Sequence, residues 1–305
     1  MQPPSSSPAK YKHAQKSIER KVGSVMSKKF NPIQYVEDDG LPVMEVGPWA
    51  QKKYKLVGKY CDIFTGGMKD KWNLIYMDLF CGPGFTKNKE TGQLMRNSAL
   101  IAMSVPKQFD HYILNDYSPD SIAAMEARVQ RLHPEVSAQY SAKDANSCVE
   151  ELLAARPKFN NRKGTLTFCF LDPFSLNMHF DTIKALAKEK VDILVLHALQ
   201  MDGRRNLDRY WKEESERVAK FTGNPAWRNK FTEGKYAVHN FCKFLADEID
   251  VNMKKLGYRT DTKKEPISIG SGRIIYYLAF YSKHERGSEF FGKIQKGGND
   301  QLELF

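Results

Sequence analysis

The stretch Leu74-Ile75-Tyr76-Met77-Asp78-Leu79-Phe80-Cys81-Gly82-Pro83-Gly84 decides the fold. Its first seven residues form a near-continuous apolar run that meets an acid and then a Gly-Pro-Gly turn. Such a run, too short for a helix and closed by glycine, reads as a strand buried on both faces. A buried strand passing directly into a glycine turn is the opening of a strand-helix-strand unit.

Working outward, four further strands follow at intervals filled by helical patterns. His111-Tyr112-Ile113-Leu114-Asn115-Asp116 ends in an acid, and Ser118-Pro119-Asp120 then starts a helix with a capping serine and a first-turn proline. Residues 136–140 form a weaker third strand, followed by Asp144 and a helix carrying Val149, Leu152 and Leu153. Residues 165–171 and 191–196 supply the fourth and fifth strands, with a helix over 181–189 between them. Strands alternating with helices predict a parallel, doubly wound α/β sheet with a Rossmann-like core over residues 73–200.

The flanks differ. In the first thirty residues Lys10, Lys12, Lys16, Arg20, Lys21, Lys28 and Lys29 face only Glu19, alongside Pro3, Pro4 and Ser5 to Ser7. The expectation is a disordered basic arm. It is either the electrostatic footprint of a nucleic-acid binder or a solvated tail. Residues 31–72 are expected to be a helical extension, with a helix from Val46 to Phe64 ended by Gly66-Gly67, and residues 86–97 a loop. Over 201–305 a helical insertion leads to an amphipathic helix at 237–256, closed by Gly257. A hairpin around Gly270-Ser271-Gly272 follows, placed at an antiparallel edge of the same sheet.

The chain has 305 residues, 41% of them hydrophobic and 27% charged, with a formal net charge of +11. That length suits one α/β core with additions. The excess of basic residues favours a polyanionic partner. Cys61, Cys81, Cys148, Cys169 and Cys242 are odd in number and lack C-x-x-C spacing, which argues against a disulfide framework or a zinc site. No apolar run is long enough to span a membrane. A reducing, cytoplasmic compartment is expected.

In a doubly wound fold the ligand lies beyond the carboxyl ends of the strands, so the chemistry is sought there. The glycine turn lacks the Gly-Lys-Ser/Thr of a phosphate loop and the third glycine of a dinucleotide fingerprint. The missing glycine disfavours a nicotinamide-dependent oxidoreductase. Asp78, Phe80, Cys81, Gly82 and Gly84 are the candidate cofactor loop, Asp116 a candidate for ribose hydroxyls, and Asp144 with Ala145 for an adenine amino group. Each acid taken alone also reads as a helix cap or a surface carboxylate.

Leu171-Asp172-Pro173-Phe174 ends the most hydrophobic strand. A carboxylate and a carbonyl can hold the hydrogens of an amine while an aromatic ring stacks a planar base. Asp172, Pro173 and Phe174 are therefore the candidate catalytic group. The plainer alternative is a strand-end acid and a turn proline, with Phe174 in the core. Trp49 and Lys53, on the helix before the first strand, and Arg204 and Arg205, after the fifth, are candidate substrate contacts. His197 reads as a strand-end histidine and Cys81 as a small buried residue.

These segments resemble the three-Cys-motif partner protein family (TcmP). The resemblance is carried by Val46-Gly47-Pro48-Trp49-Ala50, Asp78-Leu79-Phe80-Cys81-Gly82-Pro83-Gly84, Asn97-Ser98-Ala99-Leu100, Asp144-Ala145-Asn146, Leu171-Asp172-Pro173-Phe174 and Arg205-Asn206-Leu207. Tyr276-Tyr277-Leu278-Ala279-Phe280 completes it, so it covers roughly residues 45–285. Cys81 stands where members usually have alanine, and Asn97-Ser98-Ala99-Leu100 where they read Gly-Ser-Pro-Leu. The motif at Asp172 is also similar to the Asp-Pro-Phe-Gly of tRNA guanosine dimethyltransferases, with Ser175 in place of the glycine.

The resemblance implies a Rossmann-like class I methyltransferase fold, S-adenosylmethionine as cofactor, and a three-Cys-motif protein as partner. It points to N-methylation of an exocyclic amine on a nucleic acid or modified base. The alternative it leaves open is a non-catalytic module that docks nucleic acid or the partner protein.

Overall fold

The computed structural model describes residues 30–292 apart from 200–205, 213, 235, 238, 239, 269–271, 273 and 290. The basic arm, Arg204, Arg205 and most of the hairpin turn lie outside the described residues.

The central strand β2 (Asn73–Asp78) is flanked by β5 (His111–Asp116) on one side and β7 (Thr165–Leu171) on the other, both parallel to it. β6 (Ala138–Ala142) extends the sheet beyond β5, and β8 (Val191–His197) extends it beyond β7. β10 (Ile274–Tyr281) adds antiparallel to β8, and β9 (Glu265–Ser268) closes the edge. The order β6-β5-β2-β7-β8-β10-β9 is therefore a mostly parallel doubly wound sheet with an antiparallel edge hairpin. Chain order reverses around β2, so the switch point lies at its carboxyl end.

The period of two along each strand sorts the two faces. Leu74, Tyr76, Phe168, Phe170, Leu194 and Phe280 pack against α1 (Trp49–Met68), α2 (Ser98–Met103) and α3 (Pro119–Leu132). Ile75, Met77, Cys169, Ile193 and Val195 face the opposite layer. That layer holds α4 (Ala145–Ala154), α5 (Phe180–Ala187) and the helices that follow β8. The short helices α6 (Leu207–Trp211), α7 (Arg217–Thr222) and α8 (Trp227–Glu233) precede α9 (Phe241–Lys255). All five cysteines are buried, and none is in a disulfide. No helix of the described residues is long and apolar enough to cross a membrane.

Local signals account for the helix ends. Ser118 caps α3 by accepting from Ser121 N, with Pro119 in its first turn. Gly257, at φ +83°, ends the run begun by α9. Three expectations need correction. Residues 31–48 are not helical: β1 (Met44–Val46) pairs with β3 (Phe85–Asn88). The presumed loop over 86–97 is a hairpin of β3 and β4 (Leu94–Arg96), completing a small three-stranded sheet. Gly66-Gly67 does not stop α1, which continues to Met68. Packing of Tyr60, Ile63 and Phe64 against the sheet carries the helix past its glycines.

Candidate active site

The glycine turn is held by hydrogen bonds on almost every polar group. Gly82 N donates to Asp116 Oδ2 (2.9 Å) and Cys81 N to Asn115 O (2.9 Å). Asn97 Nδ2 donates to Cys81 O (2.6 Å), and Arg128 Nη1 to Pro83 O (2.6 Å). Gly82 and Gly84 sit at φ +59° and +98°, a region in which side chains are strained. A Cβ at Gly84 would crowd Leu100 and Arg128, and one at Gly82 would meet the terminal methyl of Met44 at 2.9 Å. Both glycines are thus demanded by backbone conformation and packing, beyond any close approach of a ligand.

Asp78 is fully buried. It accepts from Ser98 Oγ (2.9 Å), Tyr76 OH (3.1 Å) and Phe80 N (3.1 Å). Burial pushes its carboxyl up to about 7, against those hydrogen bonds. Asp78 therefore braces the loop from inside rather than facing a ligand, and Cys81, equally buried, has no open face. Phe80 is half-buried against the core layer on the α4 side.

Asp116 remains at the strand end, partly exposed, with its two oxygens accepting from Gly82 N and Ser118 N (both 2.9 Å). A carboxylate has further lone pairs, so two additional donors can still be met. Beside it Tyr117 is 80% exposed. The sequence reading passed over this tyrosine. Its signal was an aromatic directly after a strand-end acid. Asp144 is exposed and caps α4 by accepting from Asn146 N (2.8 Å), while Ala145 is buried in the core. Of the two readings of Asp144, the structure shows the cap.

Asn146 is a second omission. Its amide joins α4 to the turn after β7 by donating to Asn177 O (2.9 Å) and accepting from His179 N (2.8 Å) and Thr182 Oγ1 (2.9 Å). On that turn Pro173 is buried and Ser175 stands at φ +65°. Phe174 is 86% exposed, which overturns the alternative of a core phenylalanine. Asp172 lies directly beyond β7, next to the β2 end that carries the glycine turn.

Lys53 does not line an open mouth. Its side chain is 2% exposed, and Nζ lies 2.5 Å from Asp172 Oδ2. The ammonium also sits over the rings of Tyr54 (4.6 Å) and Trp49 (5.1 Å). Burial would lower the lysine, but the Asp172 carboxylate outweighs it and holds the ammonium above its ordinary value. Trp49 is half-buried, its ring centroid 4.6 Å from that of Tyr276 on β10. The neighbouring Lys52 ties α1 to β9 through Glu265 (3.1 Å) and Pro266 O (2.8 Å). His197 is buried, and burial pushes it down to about 3, so it is neutral. Arg204 and Arg205 lie outside the described residues. Among the described residues no three acidic, cysteine or histidine side chains cluster as metal ligands.

A parallel sheet reversing at β2, an antiparallel edge hairpin, a glycine turn after β2 and acids after β5 and β7 define the class. The chain has a Rossmann-like fold, a mostly parallel doubly wound sheet with an antiparallel edge hairpin. It is similar to protein LPL1258 from Legionella pneumophila, at 11% identity over 79% of this chain and 88% of that one, with a TM-score of 0.44. It is also similar to magnesium protoporphyrin IX methyltransferase from Synechocystis PCC 6803 with bound SAH, at 11% identity, 77% and 86% coverage and a TM-score of 0.40. Trm1 from Pyrococcus horikoshii with S-adenosyl-L-methionine aligns at 15% identity over 77% of this chain and 56% of that chain, with a TM-score of 0.40. No family model and no curated protein matches the chain.

Proposed function

We propose that the chain is an S-adenosylmethionine-dependent methyltransferase acting on an exocyclic amine of a nucleic acid or modified base. The observation that carries this reading is the pairing on one turn of a partly exposed carboxylate, Asp172, with an aromatic ring exposed at Phe174. An exposed phenylalanine costs solvation unless something stacks on it, and a planar base is the matching partner.

The residues at the strand ends fit the cofactor. Asp116 retains acceptor capacity for ribose hydroxyls, and the exposed Tyr117 ring beside it offers a stacking face for adenine. Gly82 and Gly84 keep the turn free of side chains, and Met44 above Gly82 meets it only through a flexible terminal methyl. When bound, the cofactor supplies an electrophilic methyl group. Asp172 orients the acceptor: Lys53 occupies Oδ2, and Oδ1, which takes no hydrogen bond among the described residues, is left for an amine hydrogen. The Pro173 carbonyl would take the other. With both hydrogens held, the nitrogen lone pair is left free for the methyl group.

A second reading, a docking module without catalysis, draws support from a glycine turn whose Gly82 N–H is already used by Asp116. Under either reading a three-Cys-motif protein remains the proposed partner, with residues 1–30 the proposed nucleic-acid arm. Calorimetry with S-adenosylmethionine separates the two. Binding is expected, with Asp172→Ala abolishing turnover while leaving cofactor affinity near that of the native chain. Absence of binding would leave only the docking reading.

A further inference from the structure

The turn that bears Phe174 has a second side. Leu176, Asn177 and His179 form one wall of a cleft of about 500 Å³, and the opposite wall is the segment from α6 to α7. That wall presents Arg209, Lys212, Arg217 and Lys220, against Glu214 and Glu216. Lys220 is paired with Glu216 (2.7 Å), and Arg217 Nη1 donates to Asn177 Oδ1 (2.6 Å), clasping the two walls together. Arg209 and Lys212 are exposed and make no ion pair among the described residues.

The cleft wall is braced from behind. The guanidinium of Arg228, stacked 4.7 Å over Trp227, donates to the carbonyls of Tyr210 (3.1 Å), Trp211 (3.1 Å), Lys212 and Ser215 (2.9 Å). One buried-side arginine thus fixes the backbone on which Arg209 and Lys212 stand. Trp211, between them in sequence, packs its ring edge-on against Trp227 (5.4 Å) and Phe231 (5.8 Å) and so anchors the same backbone. Exposed cations beside an exposed ring, here Phe174, are the surface that single-stranded nucleic acid recognises, phosphates on the cations and a base on the ring. Phe174 is two residues from Leu176, so at most about 7 Å of chain separates it from the cleft.

We infer that this cleft is a phosphodiester-binding site that holds the backbone of a single-stranded nucleic acid, with the target base delivered to Phe174 and Asp172. The inference rests on the methyltransferase reading only for that last step. A strand entering between Asn177 and Lys212 runs along the turn toward Phe174 and reaches it within its own flexibility. With Lys220 paired to Glu216 and Arg217 held by Asn177 Oδ1, Arg209 and Lys212 are the two lining cations that gain a new partner.

The test uses the full chain and fluorescein-labelled 12-nucleotide single-stranded RNA and DNA, read by anisotropy across a salt series. The double variant Arg209→Ser/Lys212→Ser is compared with Lys89→Ser/Lys107→Ser, which removes the same charge outside the cleft. Losing two phosphate contacts should weaken binding about tenfold and reduce the slope of log affinity against log salt by about 1.4. The outside pair should do neither. A loss on RNA alone or DNA alone supports the cleft and names the source of the strand. Equal losses from both double variants, or no binding of either probe by the native chain, would overturn it. S-adenosylmethionine calorimetry on the same variants keeps the two readings apart. Cofactor binding with an unaltered salt slope removes the cleft alone, and an altered slope without cofactor binding removes catalysis alone.

Discussion

The ammonium of Lys53 lies 2.5 Å from Oδ2 of Asp172, 119 residues further along the chain. Helix α1 thereby reaches the end of β7. A lysine 2% exposed needs a counter-ion, and Asp172 is the one it has. Half of the acceptor carboxylate is committed to the protein, and its orientation follows from α1.

Lys53→Met should therefore act on Asp172. Without the ammonium nothing from α1 holds Oδ2 in place, so the acceptor is oriented less well and turnover should fall with cofactor affinity unchanged. The stability cost should be about 2 kcal/mol, below the roughly 3–5 kcal/mol of a fully buried pair, because Asp172 keeps solvent contact. Turnover equal to that of the native chain would remove Lys53 from this role.

Phe174→Ala and Tyr117→Ala should separate the two binding functions. Both rings are exposed, so thermal stability should change by less than about 0.5 kcal/mol. Loss of stacking at Phe174 should cost about 1–3 kcal/mol in acceptor binding and leave the cofactor untouched. At Tyr117 the pattern should reverse, with calorimetry showing weaker S-adenosylmethionine binding. A change of melting temperature without either binding effect would contradict the assignment.

Arg128 is fully buried and anchors the segment before β1 to the glycine turn. It donates to Asp39 Oδ1 (2.5 Å), Pro42 O (2.8 Å) and Pro83 O (2.6 Å), with its guanidinium 4.1 Å over Phe85. Hydrogen bonds from Arg128 and, secondarily, Arg131 hold the Asp39 carboxyl well below its usual range, against the burial that would raise it. Its contribution is present above about pH 4 and lost as pH falls further. Arg128→Ala should destabilise by about 3 kcal/mol or more at neutral pH. It should also flatten the loss of stability in acid, measured by denaturant titration from pH 2 to 7.

Asp78 gives the opposite slope. Its folded value, about 7, lies above the ordinary 3.8 of an aspartate, because burial favours the protonated form. The folded state therefore holds a proton that the unfolded chain releases, and stability falls as pH rises from about 4 to about 7. Asp78→Asn, isosteric and neutral, should remove that fall. A residual slope is expected from Asp192, which burial pushes up to about 6 over the same window. Parallel native and variant curves across this range would show that Asp78 is ionised throughout.

Apolar runs ending in Asp78, Asp116 and Leu171 set the strands of the core, because a strand buried on both faces has to be apolar along its length. The serine cap with its first-turn proline set the start of α3 just as locally. The candidate residues at the ends of β2, β5 and β7 were legible for the same reason, since an acid or glycine after such a run has only one place to go. Pairings between distant segments were not legible. Lys53 reads from sequence as a candidate substrate contact on the helix before β2, and only the approach of α1 to β7 buries it against Asp172. The 86–97 segment looked like a loop, since three- and four-residue strands carry too few alternations to register, and β1 completed their sheet from the other side. Asn146, Arg128 and the cleft beside Phe174 depend on contacts spanning tens of residues. Local pattern thus determined the sheet and where its chemistry would gather, because strand and cap preferences act over a few residues. Tertiary packing decided which charges meet, because burial and pairing energies exist only once separate segments share the same space.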